Sequence, residues 1–298
     1  MHPALFYRSD AAYQAKINAF VRTGLELGHP VAVAVPDPRL RLVRDALGDS
    51  AARVTLLDMS QEGRNPGRII AFVLRRFADR HPDRHVRIVG EPIWPGRSGA
   101  EYPACVQHEA LINAAFAGRD VTVLCPYDVT GLDVVALDDA RATHPVLWDE
   151  DGERDSDGYD PDGVIARYNE PLAAPSGETV VVATPADVAG ARRFAVEHAR
   201  RLGLPEERLQ DLALVATELV TNGITHTPGP ARLAVFAEDG HVVCEVRDPG
   251  KLADPLAGRR PADATSPHGR GLLLVNDLAD LVRCHTGDGT TIRALLRV

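Results

Sequence analysis

Short apolar runs alternate with longer amphipathic stretches through residues 1–147. PVAVAVP (30–36), RVTLLDM (53–59), HVRIVGE (85–91) and DVTVLCPYD (120–128) have the length and β-branched content of strands. Between them the pattern predicts helices. Ser9 or Asp10 can cap one that runs to about Leu27, and a second lies near 38–47. Pro66 can open a third through Phe77. PACVQHEALINAAFAG (103–118) is a fourth, ended by Gly118, and VTGLDVVALDDARA a fifth. Strands that are apolar throughout are covered on both faces, so this half is expected to be α/β with a mostly parallel sheet.

The pattern breaks at DEDGERDSDGYDPDG (149–163), which holds eight acids and four glycines or prolines. Such a stretch buries little, and 149–177 is expected to be an acidic linker between a domain at 1–148 and another at 178–298. In the last domain the order of patterns changes. ETVVVAT is a strand, two helices follow (ARRFAVEHARRLGL, then one begun by Pro205), and ARLAVFAEDGHVVCEVRD reads as two strands around Asp239-Gly240. After an irregular stretch (249–269) come a helix, GLLLVNDLAD, and two strands flanking Gly287–Gly289. This β-α-α-β-β-loop-α-β-β order predicts an α+β two-layer sandwich with helices on one sheet face.

Composition narrows the class. The 298 residues suffice for two domains, and 45% apolar with 25% charged residues is that of a soluble globular protein. No apolar run reaches the roughly 18 residues of a membrane span, and MHPALFYRSD lacks the pattern of a secretion signal. Cys105, Cys125, Cys244 and Cys284 are scattered, as suits reduced thiols in a cytoplasmic protein. A net charge of −9 disfavours direct binding to DNA or anionic lipid.

One stretch carries polar residues where a core helix is expected. In ELVTNGITH, Glu218, Asn222 and His226 are four apart and so share one helix face. The other faces carry Leu212, Leu214, Val215, Leu219, Val220 and Ile224, which have the look of core. Further on come Asp248-Pro249-Gly250 at a strand end, His268-Gly269-Arg270-Gly271-Leu272 at a helix start, and Gly289-Thr290-Thr291 opening the last strand. Together these are the parts of a nucleotide site. The Asn222 amide oxygen is a hard ligand suited to Mg2+. Asp248 can accept a hydrogen bond from an exocyclic amine such as that of adenine. Gly269 and Gly271 let backbone and helix N–H groups approach phosphates. Glu218, one turn from Asn222, is placed to take a proton from an attacking hydroxyl. Residues 251–268 could close over a ligand. The alternative for Glu218 is an ion pair with an arginine. His226 either contacts phosphates or closes the helix dipole.

Residues 178–298 resemble the ATP-binding superfamily of gyrase, heat-shock chaperone, histidine kinase and mismatch-repair proteins. Within it, the short form without insertions resembles the bacterial anti-sigma-factor serine kinases. ELVTNGITH stands where their N box stands, RDPG and HGRGL match the two glycine boxes, and GTTI matches the terminal strand motif. The resemblance implies Glu218 as general base and Asn222 as magnesium ligand. It implies Asp248 as the adenine reader with Gly250 beside it, and Gly269, Arg270, Gly271 and Leu272 as the phosphate box. Thr290 would help hold the base. The cofactors implied are ATP and Mg, and the partners are a sigma factor and an antagonist protein phosphorylated on Ser or Thr, as in bacterial stress responses. A homodimer through the ATP domain is compatible with it. Three positions depart from the pattern: Leu252 stands where a further glycine is usual, Thr225 where a basic residue is frequent, and Gly223 where a small helix former is usual. The rival reading is a nucleotide-gated binding module without phosphotransfer. A histidine kinase would need a phosphoacceptor on a helical hairpin, and His198 sits on a single helix.

The first half has no P-loop (GxxxxGK with Ser or Thr). From HPALFYRSD through GEPIWPGRSGAEYPACVQHEALIN to CPYD it resembles the MEDS sensory domain, a degenerate RecA-like α/β relative. That implies sensing of a small-molecule ligand. Glu91 and Trp94 follow a strand's C-terminal end, where ligands bind in open α/β sheets. Glu109, on an otherwise apolar helix, is either a ligand contact or a carboxylate tied to backbone or arginine. Glu91, Trp94 and Glu109 are therefore the candidate sensory residues. Cys105-x-x-His108-Glu109 has metal-ligand residue types but no second cluster near it in sequence.

Overall fold

Ser9 accepts the Ala12 N–H and caps the first helix, Asp10–Glu26, where the pattern placed it. The computed structural model describes residues 1–261 and 269–298, so His268 of the second glycine box lies outside the described residues, as does part of the expected covering segment. The chain divides into two units, Met1–Tyr168 and Asn169–Val298.

The first unit is a seven-stranded sheet. Its strands are β1 (Pro3–Tyr7), β2 (Val31–Val35), β3 (Thr55–Asp58), β4 (Val86–Gly90), β5 (Val121–Asp128), β6 (Val146–Trp148) and β7 (Glu153–Asp155), in the order β3-β2-β4-β5-β1-β6-β7. All pairs are parallel except β6 with β7. Every residue of β1 and β2 is buried, which requires cover on both sheet faces. Helices Arg39–Leu47, Tyr102–Ala115 and Val134–Thr143 provide crossovers. Asn65 caps the helix opened by Pro66, which runs through a π-helical stretch, Ile69–Arg75, to Ala78.

Two expectations fail in this unit. β1, which lies between β5 and β6, is missed in the sequence because PALFY opens on a proline and has no β-branched residue, unlike VAVAV of β2. The first part of the acidic segment is not linker. Glu153–Asp155 pairs with β6, and Asp160 caps a helix, Pro161–Arg167, by accepting the Gly163 N–H. Arg154 pairs with Asp149 inside the segment, and Arg167, at the end of that helix, pairs with the buried Asp139 of Val134–Thr143.

The second unit is an antiparallel sheet of β8 (Thr179–Val182), β9 (Ala231–Glu238), β10 (His241–Asp248), β11 (Leu281–Thr286) and β12 (Thr290–Arg297), ordered β11-β12-β10-β9-β8. Asp239 and Gly240 both have positive φ (46° and 73°), as a tight hairpin turn demands. Leu233 and Val235, Val242, Cys244 and Val246, and Ile292, Ala294 and Leu296 alternate along their strands to one face. There they pack against helices Val188–Arg201, Glu206–Thr225 and Gly271–Leu278. On the opposite face Glu245 is 1% exposed and takes charge-assisted bonds from Arg293 and Arg247. The two arginines also donate to Ala173 O, both at 2.6 Å. Asn169 bonds both backbone groups of Thr286. The remainder of the expected linker is thereby pinned to the sheet from 169 to 173. Glu245→Gln leaves two guanidinium groups short of a buried charge. It should cost the second unit about 3–5 kcal/mol, read as a lowered denaturant midpoint.

Candidate functional site

In the second unit, Glu206–Thr225 buries Leu209, Leu212, Val215, Ala216, Leu219 and Val220. Leu214, expected in the core, is 47% exposed. Glu218 and Asn222 are half-buried on the face between core and solvent, and His226 is the exposed C-cap residue. Among the described residues neither the Glu218 carboxylate nor the Asn222 side chain has a hydrogen-bond or ion-pair partner, so no arginine there claims Glu218.

The glycine boxes close on this stripe. Gly271 opens its helix so near that a Cβ there would lie 2.5 Å from Glu218 Oε2 and 3.3 Å from Asn222 Nδ2. A side chain at 271 would push the carboxylate end of Glu218 aside. Gly269, two residues earlier, has φ +90°, and the N–H groups at the start of the Gly271–Leu278 helix are the kind that bind anions. Arg270 is exposed, and Leu272 is half-buried against the core and packs on Gly258.

Asp248 ends β10 opposite Thr290 of β12. Its Oδ1 accepts the Gly250 N–H at 2.8 Å. The Thr290 hydroxyl donates to Gly250 O at 3.0 Å and accepts the Leu252 N–H at 3.2 Å, so Thr290 fixes the loop that leaves Asp248. Leu252, the departure from the usual glycine, contributes here by its backbone. Burial raises the Asp248 carboxyl above its ordinary pKa, opposed by the Gly250 N–H. Gly223 faces Asp248: a Cβ at 223 would lie 3.6 Å from Asp248 Oδ2 and 2.9 Å from the Ala231 Cβ. That contact explains a glycine in the last turn of the helix. Gly223→Ala would gain about 1 kcal/mol of helix propensity but overpack a rigid neighbour by about 1–3 kcal/mol. We expect a lower, not higher, melting temperature. Thr227, unnoticed in the sequence, donates to Gly223 O and Gly229 O and borders Gly250. Only its place one residue beyond the stripe pointed to it. His198 is held by Phe194 O and Glu178 on the helix surface.

The first unit has two polar clusters, which separate the three candidate sensory residues. At the C-terminal ends of β4, β5 and β1, Arg39 reaches Glu91 (3.5 Å) and Asp128 (3.2 Å) and lies over the rings of Tyr7 and Tyr13. The Tyr13 hydroxyl donates to Glu91 at 3.3 Å. Burial raises Glu91 to about 8, more than Arg39 lowers it. Trp94 does not join this cluster. It stacks under Arg97, whose guanidinium carbon is 4.1 Å from the ring centre. Glu109 lies instead with His2, Cys125 and His144, all buried. Cys105 and His108, its neighbours in sequence, are outside that group. Burial raises the Glu109 carboxyl, but contacts with His144 and His2 outweigh it and hold the group below the carboxylate range. Burial lowers His2 to about 4, and His144 adds to the shift. Arg39, Tyr13 and Asp128, and likewise His2, Cys125 and His144, come from distant segments, so no local spacing marks them.

Comparison with known proteins assigns both units. Residues 1–145 match the MEDS family (methanogen/methylotroph, DcmR sensory domain), and residues 181–296 match the histidine kinase-like ATPase domain. No curated relative matches the chain. Among solved structures, the chain is similar to the RsbU and RsbW domains of a Mycobacterium tuberculosis protein. The identity is 21%, with 40% of this chain and 32% of that chain covered, at a TM-score of 0.29. The SiaB–SiaC complex from Pseudomonas aeruginosa is also similar, at 14% identity, with 40% of this chain and 88% of that chain covered and a TM-score of 0.33. Among the described residues no helix is long and apolar enough to cross a membrane. The chain thus joins a MEDS sensory domain to a histidine kinase-like ATPase domain.

Proposed function

We propose that the chain is an anti-sigma-type regulator whose C-terminal domain binds Mg-ATP and phosphorylates a Ser or Thr of an antagonist protein. The observation that carries this reading is the approach of Gly271 to Glu218 and Asn222, with Asp248 beside Gly223. Four motifs spread over some seventy residues of sequence thereby border one site.

The residues fit the group the family implies. Asp248 Oδ2 is left to accept the amine of adenine, since the Gly250 N–H takes Oδ1. The helix start at Gly271 offers N–H groups to phosphate oxygens, and Arg270, exposed beside it, adds charge. Asn222 would hold Mg2+, which when bound would neutralise triphosphate charge. Glu218, without a competing partner among the described residues, takes the proton of the acceptor hydroxyl as that oxygen attacks the γ-phosphorus. The bond from the γ-phosphorus to the β-bridging oxygen breaks, and ADP leaves. The MEDS domain would bias this activity through a small-molecule ligand, for which the Glu91–Arg39–Tyr13 cluster is the candidate contact. Partners of the proposed regulator are a sigma factor and its antagonist.

The rival, a nucleotide-gated module, keeps the binding residues and dispenses with Glu218. Incubation with γ-labelled ATP and proteins co-purified from the source cell separates them. Label on a Ser or Thr of a co-purified protein supports the kinase, and retention of nucleotide without label supports the module.

A further inference from the structure

In the first unit, four side chains from four separate elements meet in the interior. His2 precedes β1, Glu109 is on helix Tyr102–Ala115, Cys125 is on β5 and His144 follows helix Val134–Thr143. They are 4%, 0%, 1% and 0% exposed. One donor atom from each lies within 4.8 Å of every other. Glu109 Oε2 is 3.2 Å from His2 Nε2 and 3.3 Å from His144 Nε2, and Cys125 Sγ is 3.4 Å from His2 Nε2.

The outer partners decide which ring atoms carry protons. His144 Nδ1 is 2.8 Å from the carbonyl oxygen of Ala140, which can only accept, so Nδ1 bears the hydrogen. His2 Nδ1 faces Asn113 Oδ1 at 3.2 Å. The orientation of that amide is set by its Nδ2, which donates to Thr143 O at 2.8 Å. His2 Nδ1 is therefore also a donor. The far nitrogen of each ring is thereby held, and both Nε2 atoms face one carboxylate oxygen, Glu109 Oε2. These polar side chains, shut away from water, converge on one point. His144 Nε2 and Glu109 Oε1 have no hydrogen-bond partner among the described residues.

We propose that His2 Nε2, His144 Nε2, Glu109 and Cys125 Sγ form a four-ligand site for a divalent transition-metal ion of the zinc type. Ligands about 2.0–2.3 Å from one tetrahedral ion stand about 3.3–3.8 Å apart; the three contacts above, at 3.2–3.4 Å, are at the short end of that spacing, and all donor pairs lie within 4.8 Å. Two imidazoles, a carboxylate and a thiolate suit a borderline-soft ion rather than Mg2+ or Ca2+. Asn113 and the Ala140 carbonyl have the outer role seen at metal-bound histidines: each holds the far ring nitrogen and aims the near one. Four protein ligands leave no open position, so the ion clamps β1, β5 and two helices together rather than activating a water. Cys125 gives up its proton to solvent on binding. The inference is independent of nucleotide binding by the second unit.

The test uses the full chain, freed of metal by a chelator and titrated with Zn2+ or with Co2+ as a spectroscopic probe. One ion per chain is expected, with the visible bands of tetrahedral Co2+, a thiolate-to-metal charge-transfer band and a higher melting temperature for the first unit. Cys125→Ser should remove the charge-transfer band, and Cys105→Ser should keep it. Asn113→Ala, which deletes no ligand, should weaken binding about 10- to 100-fold. Absence of binding by the folded wild-type chain overturns the proposal, as does a charge-transfer band that survives Cys125→Ser. Should Cys125→Ser not fold, unchanged affinity in Asn113→Ala overturns it equally.

Discussion

Glu218→Gln should abolish phosphoryl transfer while leaving Mg-ATP affinity nearly unchanged. The substitution keeps the shape of the side chain and its place beside Gly271, 2.5 Å from the position a Cβ would take. It removes only the capacity to accept a proton. General-base catalysis contributes about 10²- to 10⁴-fold, and the rate of label transfer should fall by that factor. Calorimetry on the same variant supplies the control. A rate unchanged by the substitution would leave the nucleotide-gated module as the reading. Loss of both binding and transfer would mean that Glu218 holds the nucleotide rather than the proton.

Asp248→Ala should have the opposite profile, losing the nucleotide itself. A half-buried carboxylate accepting the adenine amine makes a charge-assisted bond worth about 1.5–3 kcal/mol, or roughly 10- to 150-fold in Kd. The fold should tolerate the change, because among the described residues the Gly250 N–H is the one hydrogen bond that the Asp248 side chain accepts. Selectivity should change with affinity: the wild-type chain prefers ATP to GTP, which presents a carbonyl where adenine has its amine, and the variant loses that preference. The bond also predicts a pH dependence. Burial raises the Asp248 pKa, so nucleotide affinity falls as pH drops through that raised value, sooner than an exposed aspartate would allow. For the nucleotide-free fold the sign reverses. A carboxyl raised on folding contributes stability at low pH that is lost as pH rises through the folded pKa.

The two halves differ in how much their sequences disclose. In the second unit each motif sits on an element with a strong local signal: Glu218 and Asn222 on a long amphipathic helix, Asp248 at the end of a hairpin strand, Gly271 at a helix start. Spacing along one helix gives the stripe, and element order brings the other motifs to it. In the first unit the chemistry depends on tertiary proximity. His2 and Cys125 meet because β1 inserts beside β5, and β1 is the strand whose short run has no β-branched residue to mark it. Without β1 in place, Glu109 has only its helical neighbours Cys105 and His108 as apparent companions, and neither belongs to its cluster. Trp94 and Glu91 are three residues apart, yet they face different partners because the chain turns sharply after β4, with the Gly96 and Arg97 N–H groups both bonding Trp94 O. The acidic segment misleads for another reason. Composition counts its charges but not the order its residues make: Glu153–Asp155 pairs with β6, and Asp160 caps a helix by accepting the Gly163 N–H.

The central claim is that the motifs of the C-terminal domain enclose a magnesium-chelated adenine nucleotide. Isothermal titration of the full chain with ATP in the presence of Mg2+ tests it most directly. Saturable binding of one nucleotide per chain, weakened by Asp248→Ala and by omission of Mg2+, is the predicted result. A flat titration with an unchanged melting temperature at saturating ATP would contradict it.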